Sequence, residues 1–118
     1  MASPTSNVKF IALNVYVAAL GTGKTRFVAC PVDGYVRMIQ YASDVAVDGD
    51  NIITSAIAGT AITGGGFTLT TSNSVAGMVM TAVPTAANRV LRGQAIAVTT
   101  DGGGDAGDGL FTLLIEQD

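Results

Sequence analysis

Short runs of alternating apolar and polar residues, separated by turns rich in Gly and Asp, limit the fold of this chain more than any other feature. In the first run, Lys9–Ala18, the side chains of Ile11, Leu13, Val15 and Val17 share one face. A period of two predicts a half-buried strand, and no segment keeps a helical period over about ten residues. Turn signals recur about every 8–12 residues, a spacing typical of sandwiches and barrels. The sequence therefore predicts an all-β chain: a single antiparallel β-sandwich or jelly-roll-like barrel of about eight short strands.

The turn residues also divide the rest of the chain. Further strands are predicted at Thr25–Pro31, Tyr35–Ala42, Ile52–Ala58, Thr60–Thr63, Phe67–Thr71, Val75–Val83, Gln94–Thr100 and Leu110–Glu116. Gly64–Gly66 is predicted to be the tip of a hairpin that joins the strands on either side of it. Pro84–Asn88 is predicted to form one helical turn, because Pro suits a first helical position and Asn suits a C-terminal cap.

The composition excludes several classes of function. Ala, Gly, Thr and Val make up half of the chain, and only 13% of the residues are charged, against about 25% in an average protein. The absence of His excludes a His-based triad and an imidazole base, and a single Cys excludes a multi-Cys zinc site. Six basic residues against nine acidic ones argue against a nucleic-acid surface. We expect a protein that is not an enzyme and has no catalytic, cofactor or metal residues.

The N-terminal region shows no targeting or membrane signal. Residues 1–7 are small and polar, and Lys9 and Asn14 interrupt the apolar stretch that follows. A secretory signal would need a basic start before an apolar run, and a spanning helix would need roughly 18 apolar residues. We expect no membrane partner, and we interpret residues 1–7 as an exposed arm before a single β-sandwich domain at 8–118.

Two motifs resemble ligand sites but lack required parts. Gly21–Thr25 resembles the end of a P-loop, yet Ala18 stands where that motif needs Gly, and a strand-like segment follows Lys24. We predict a hairpin loop with a solvated Lys24. Aspartates cluster in two loops: Asp44, Asp48 and Asp50, and Asp101, Asp105 and Asp108. Neither group has the ligand spacing of a calcium loop, so solvated turns are expected.

Three side chains of one predicted strand and one thiol are further candidates. Tyr35, Arg37 and Tyr41 are predicted to share a face, where they would form either a ligand or subunit surface or part of a half-buried core. Cys30 has no neighbouring His to activate it and is expected to be a buried structural residue. Sheet edges are usually protected by Lys or Pro, and Lys is nearly absent here. We therefore predict that sister subunits cover the edges and some faces.

Most of the chain, from about Val28 to Glu116, resembles a family of small tailed-phage structural proteins found in marine and environmental phages. The resemblance is carried by Ala29–Val36, Ile57–Gly65, Phe67–Leu69, Ser74–Gly77, Val83–Asn88, Val90, Gly93, Ile96, Val98 and Asp101-Gly102. The family is regarded as capsid decoration (cement) or head-fibre proteins. This chain departs from it at Gln94 and Met78, where the family often has Asp. Met78 makes its strand more apolar and is consistent with a different interface there.

The resemblance implies a virion protein on the outer surface of an icosahedral capsid. Such proteins form trimers of β-sandwich or jelly-roll subunits and bind across neighbouring major-capsid subunits, so a homotrimer and a major capsid protein are the expected partners. The N-terminal arm would then contact the capsid through Ala2, Ser3, Pro4, Thr5, Ser6 and Asn7. The alternative is a non-enzymatic binding module, a fibre base or a carbohydrate or host-surface adhesin, with an aromatic platform at Tyr35 and Tyr41.

Overall fold

Two antiparallel sheets pack against each other in the computed structural model, which describes residues 9–18, 20–103 and 106–118. The predicted all-β sandwich is thus confirmed. The strands are β1 (Lys9–Val17), β2 (Thr25–Ala29), β3 (Gly34–Val45), β4 (Asn51–Ile57), β5 (Thr60–Ala61), β6 (Phe67–Leu69), β7 (Val79–Ala82), β8 (Arg89–Val90), β9 (Ala95–Thr100) and β10 (Asp108–Gln117). The first sheet has the order β1-β10-β3-β7, and the second has the order β2-β9-β4-β5.

The pairing follows a jelly-roll order. β8 joins β3 beside β7, and β6 joins β4 beside β5, so each of these two pairs of short strands occupies one edge position. If β5 and β6 are counted as one position and β7 and β8 as another, the chain has eight strand positions. One sheet then has the order 1-8-3-6, and the other has the order 2-7-4-5. This arrangement is a jelly roll of eight positions, which the strand count predicted from the sequence matches.

The predicted hairpin with a glycine tip is wrong. β5 and β6 both pair antiparallel with β4, so they run in the same direction and do not pair with each other. Gly64–Gly66 instead forms a bulge between them that lies close against β4. A Cβ on Gly66 would overlap the carbonyl oxygen of Ile53, so only glycine fits there.

The predicted helical turn at Pro84–Asn88 is also wrong. Ala86 forms an antiparallel bridge with Thr63, and the amide of Thr85 donates to the Thr63 carbonyl at 2.9 Å. The edge of the first sheet that β7 and β8 form is thereby joined to the edge of the second sheet that β5 and β6 form. The tertiary hydrogen bonds outweigh the helical preference of Pro84–Asn88 and close one side of the sandwich.

A bulge in β3 changes which side chains reach the core. Leu114 pairs with Met38 and Ile115 with Val36, so Arg37 is an extra residue in the ladder. An extra residue reverses the alternation of faces. Of the two alternatives left open for this face, Tyr35 and Arg37 lie on the outer surface, whereas Ile39 and Tyr41 turn inward and are fully buried. The predicted face shared by Tyr35 and Tyr41 is therefore wrong.

The core is built around three aromatic rings. The ring centroid of Tyr41 lies 4.7 Å from that of Phe111 and 6.5 Å from that of Phe67. Burial raises the pKa of Tyr41 to about 12, so the phenol stays neutral. Cys30 is buried, as expected, and its thiol donates to the Val32 carbonyl.

The remaining strands differ from prediction mainly at their ends. The predicted strand Val75–Val83 shortens to β7, because Ser74–Gly77 lies in a turn. Ser74 is held there by hydrogen bonds between its hydroxyl and the amide of Val47, and between its carbonyl and the hydroxyl of Ser43. Met78 therefore precedes β7 instead of lying within it. Within the described ranges, no helix has the length and apolar character required to cross a membrane.

The turn between β4 and β5 should become more stable with asparagine at position 58. Ala58 has φ 48° and Gly59 has φ 88°, the pair of positive values that a type I′ turn requires. Asn tolerates this conformation better than Ala, so Ala58→Asn should raise the free energy of unfolding by about 0.5–1 kcal/mol. Urea denaturation measures the change. A lower stability would contradict the turn assignment.

Gly109 should tolerate no side chain, because a Cβ there would overlap the ring of Tyr41. Gly109→Ala should lower the free energy of unfolding by about 1–3 kcal/mol through overpacking. The control is Tyr41→Phe, which keeps the buried ring and removes only its hydroxyl, so that variant should unfold closer to wild type than Gly109→Ala does. Equal stability of Gly109→Ala and wild type in urea would contradict the packing.

Candidate interaction surfaces

The P-loop-like segment is a connection between the two sheets. It contains a short 3-10 turn at Leu20–Thr22 and leads directly into β2, so no helix follows Lys24. The Lys24 ammonium donates to the carbonyl of Ala18 at 2.9 Å. Because β1 and β2 belong to different sheets, the predicted hairpin loop is wrong. The segment lacks the helix N-terminus that a phosphate site of this kind needs.

One aspartate of each group, Asp48 and Asp101, stabilises a loop, whereas Asp44 lies in β3 and Asp108 begins β10. A carboxylate oxygen of Asp101 accepts the amides of Ile52 at 2.9 Å and Gly103 at 3.0 Å. A carboxylate oxygen of Asp48 accepts the amide of Ala106 at 3.2 Å. Asp105 lies outside the described residues. In the part of the chain that the structure describes, no three Asp, Glu or Cys side chains are grouped closely enough to hold a metal ion.

Among the residues that the structure describes, none with a charged side chain lies on the outer surface of the second sheet, and we call this surface the uncharged face. The strand register places the following outward residues on it: Thr25, Phe27, Ala29, Ile52, Thr54, Ala56, Ala61, Thr68, Ala95, Ala97 and Thr99. Alanine and threonine predominate, so the sheet backbone lies close to the molecular surface. Such a face allows another protein to approach closely and costs little desolvation of charge.

Two rows across the strands define the chemistry of the uncharged face. In one row Phe27 pairs with Ala97, which pairs with Ala56, which pairs with Ala61. In the next row the hydroxyls of Thr25 and Thr99 are hydrogen-bonded to each other at 3.0 Å. Because each hydroxyl already has a hydrogen-bond partner in the other, burying this pair against another protein would leave fewer polar groups without a partner. Phe27 is 69% exposed, the largest fraction among the exposed large apolar residues.

The outer surface of the first sheet differs from the uncharged face because it combines apolar, polar and charged rows. The strand register arranges these side chains in four rows across the strands. The first row is Tyr16, Leu110, Ala42 and Val79, and the second is Asn14, Thr112, Gln40 and Thr81. The third row is Ala12, Leu114 and Met38, and the fourth is Phe10, Glu116, Tyr35 and Arg89. Hydrogen bonds link Thr112 to Asn14 and Gln40 to Thr81. The charged side chains lie mainly in and beside the fourth row.

Tyr35, Arg37, Arg89, Glu116 and Asp118 form what we call the Tyr35 cluster. Two guanidinium carbons lie over the Tyr35 ring, that of Arg37 at 4.7 Å and that of Arg89 at 5.0 Å from its centroid. Each arginine is also paired with a carboxylate, Arg37 with Glu116 at 2.7 Å and Arg89 with both oxygens of Asp118. These contacts hold three long side chains in a defined arrangement.

No family model matches the chain, and no curated protein matches it. Its fold is similar to part of dimeric latent PorU from Porphyromonas gingivalis, with a TM-score of 0.51 and 12% identity over 98% of this chain and 14% of that chain. PirA gives a TM-score of 0.44 and 13% identity over 90% of this chain and 93% of that one. A Bacillus endospore appendage protein of disulfide-linked pili gives a TM-score of 0.42 and 12% identity over 100% of this chain and 97% of that one. At these identities the likeness concerns the fold alone.

Both surfaces must therefore be assessed from their own residues. The predicted arm, residues 1–7, lies outside the described residues. The strand Thr25–Pro31 was predicted, but only the strand register reveals that Ala97 lies beside Phe27 and Ala56 beyond Ala97. Arg89 was missed entirely, because it reaches Tyr35 through the pairing of β8 with β3, between residues far apart in sequence.

The pairing of Arg89 with Asp118 can be tested by titration. The hydrogen bond from Arg89 lowers the pKa of Asp118, so the contact is present above the ordinary aspartate value and is lost as pH falls through the lowered pKa. An NMR titration of the Asp118 carboxyl should show a midpoint below that of an ordinary Asp. Arg89→Gln should return it toward the ordinary value, whereas Arg26→Gln, in the other sheet, should not. An unchanged midpoint in Arg89→Gln would contradict the pairing.

Proposed function

We propose that this chain is a structural protein of a tailed-phage virion that decorates and stabilises the outer surface of the icosahedral head. The outer surface of the first sheet carries the proposal. It exposes Phe10 and Tyr35 in one row, with Arg37 and Arg89 over the Tyr35 ring, and it exposes Tyr16 in the row at the other end of the sheet. Aromatic residues and arginine are the side chains most enriched at protein interfaces. The proposed role is contact between proteins, without catalysis, membrane or nucleic acid.

In the proposed assembly, a homotrimer binds across neighbouring subunits of the major capsid protein. Three copies of one weak contact strengthen each other, because the first contact raises the effective concentration of the others. Such a bridge would resist separation of the capsid subunits under pressure from the packaged genome. The jelly-roll fold supports this role only by analogy, since viral capsid proteins and lectins both use it.

The arm and the Tyr35 cluster would reach the same region of the capsid. The arm leads into β1 at Lys9, and the next residue, Phe10, belongs to the row that contains Tyr35. Residues 2–7 are small and polar and suit a segment that becomes ordered on a partner. We propose that this end of the first sheet faces the capsid.

The surface geometry favours a protein partner over a sugar. An adhesin would present aromatic rings free for stacking, but Tyr41 is buried and the Tyr35 ring carries the guanidinium groups of Arg37 and Arg89. Arginines that are already paired with carboxylates suit an interface with a protein surface of mixed charge. The binding module therefore remains the second candidate, and binding to a glycan array would support it.

Occupancy on purified heads tests the proposal. Tyr35→Thr and deletion of residues 2–7 should each raise the Kd for heads, measured from occupancy over a range of protein concentrations, at least about tenfold, which corresponds to about 1.4 kcal/mol per trimer. Both variants should unfold like wild type, because Tyr35 lies on the outer surface and the proposal has residues 2–7 becoming ordered only on the capsid. Val75→Thr is the control: it alters a side chain that is 51% exposed in the loop before β7, away from the Tyr35 cluster. Unchanged occupancy of both variants would refute the proposal.

A further inference from the structure

Phe27 lies at one edge of the uncharged face, on β2, and is unusually exposed for a ring next to small residues. Single exposed apolar residues are common and need no explanation by themselves. Here, however, the neighbours in its row are alanines, so the ring projects well beyond the surface around it. No charged residue shares this face. The ring is therefore a projection that a complementary apolar recess could receive.

Such a recess lies at the opposite edge of the same face. Between β5 and β6 the bulge at Gly64–Gly66 leaves an apolar pocket of about 340 Å³. Ile52, Thr54 and Ala61 line it on the outer side of the sheet. The glycines provide a wall without side chains, and both Gly65 and Gly66 lie too close to β4 to carry a Cβ. The pocket is thus a built feature of this edge.

We propose that copies of this chain associate head to tail through the uncharged face, with Phe27 of one copy in the glycine-walled pocket of the next. The inference deepens the homotrimer of the proposed function and rests on it. Because the projection and the pocket occupy opposite edges, the contact uses two different patches of each copy. Contacts of this kind form closed rings when the rotation between copies closes.

The dimensions of the sheet suit three copies. Strands lie about 4.8 Å apart, so the four positions of the second sheet make a face about 19 Å wide. Three such faces, arranged as a triangular prism, leave roughly 5–6 Å between each sheet and the central axis. This is close to half of the roughly 10 Å that separates two packed sheets. At each corner the Phe27 edge of one copy then meets the pocket edge of the next, so that the ring points across the corner into the pocket.

Small side chains occupy the middle of the face, where the axis would run. Ala56 and Ala97 lie on the two central strands, flanked by Thr54 and Thr99. Larger residues at these positions would prevent three sheets from approaching to this distance, because close-packed interiors have no room for extra atoms. A flat face of this size is small for a single pairwise contact. Ring closure gives every copy two contacts, so dimers should not accumulate.

Disulfide trapping tests the pairing directly. The double variant Phe27→Cys/Ala61→Cys places one thiol on the projecting edge and the other in the pocket wall. Under mild oxidation it should form covalent trimers on non-reducing gels, while each single variant should stay uncrosslinked. The native Cys30 is only 1% exposed and should not compete. Dimers of Phe27→Cys alone would indicate a two-fold contact and would overturn the proposal.

A second measurement keeps the test independent of disulfide geometry. Phe27→Thr should raise the concentration at which trimers dissociate at least tenfold in mass photometry. Phe10→Thr is the matched control: it removes an exposed ring from the other sheet and should leave association unchanged. A wild-type chain that is monomeric at micromolar concentration, or Phe27→Thr trimers as stable as wild type, would overturn the proposal.

The two proposals can fail separately. If the double variant forms trimers but neither it nor wild type binds heads, the association through Phe27 stands and the decoration role fails. If heads are decorated normally by Phe27→Thr trimers, the decoration role stands and the pairing fails.

Discussion

One extra residue in β3 determines both the core and the surface of the first sheet. Because Arg37 is bulged out of the ladder with β10, the residues before it and after it present opposite faces. Tyr41 thereby packs on Phe111 in the core, while Tyr35 stays outside under two arginines. Without the bulge, Tyr41 would lie on the same outward face as Tyr35, and the core would lose its largest buried side chain.

The alternation of apolar residues was sufficient to predict the class of fold and most of the strands. In β1 the predicted inward face, Ile11 to Val17, is the one that the structure turns toward the core. The same reasoning failed at Tyr41, because a bulge leaves no mark in a pattern of period two. It also failed at Gly64–Gly66, where a glycine run that is typical of a hairpin tip lies flat against β4. Close backbone approach and tight turns both require glycine, so sequence alone does not distinguish them.

The candidate surfaces were harder to predict than the fold, since they consist of residues brought together by strand register. Phe27 meets Ala97 and Ala56 across three strands, and Arg89 meets Tyr35 across β8 and β3. Neither set is contiguous in the chain. What could be predicted was the low charge of the chain as a whole, which the uncharged face shows and the Tyr35 cluster does not. Both surfaces carry aromatic side chains, which suit contact between proteins.

The abundance of alanine and threonine acquires a specific meaning from the register. Alanine and threonine side chains in the core would bury little apolar volume, but the core is filled mainly by Val, Ile, Leu and the aromatic rings. Alanine and threonine instead predominate on one outward face, where Ala56, Ala97 and Thr99 leave the sheet thin. Charged side chains give a solvent-exposed face solubility, and this face has none among the described residues. The proposed association between copies would cover it and would leave the charged, arginine-bearing surface of the first sheet for a different partner.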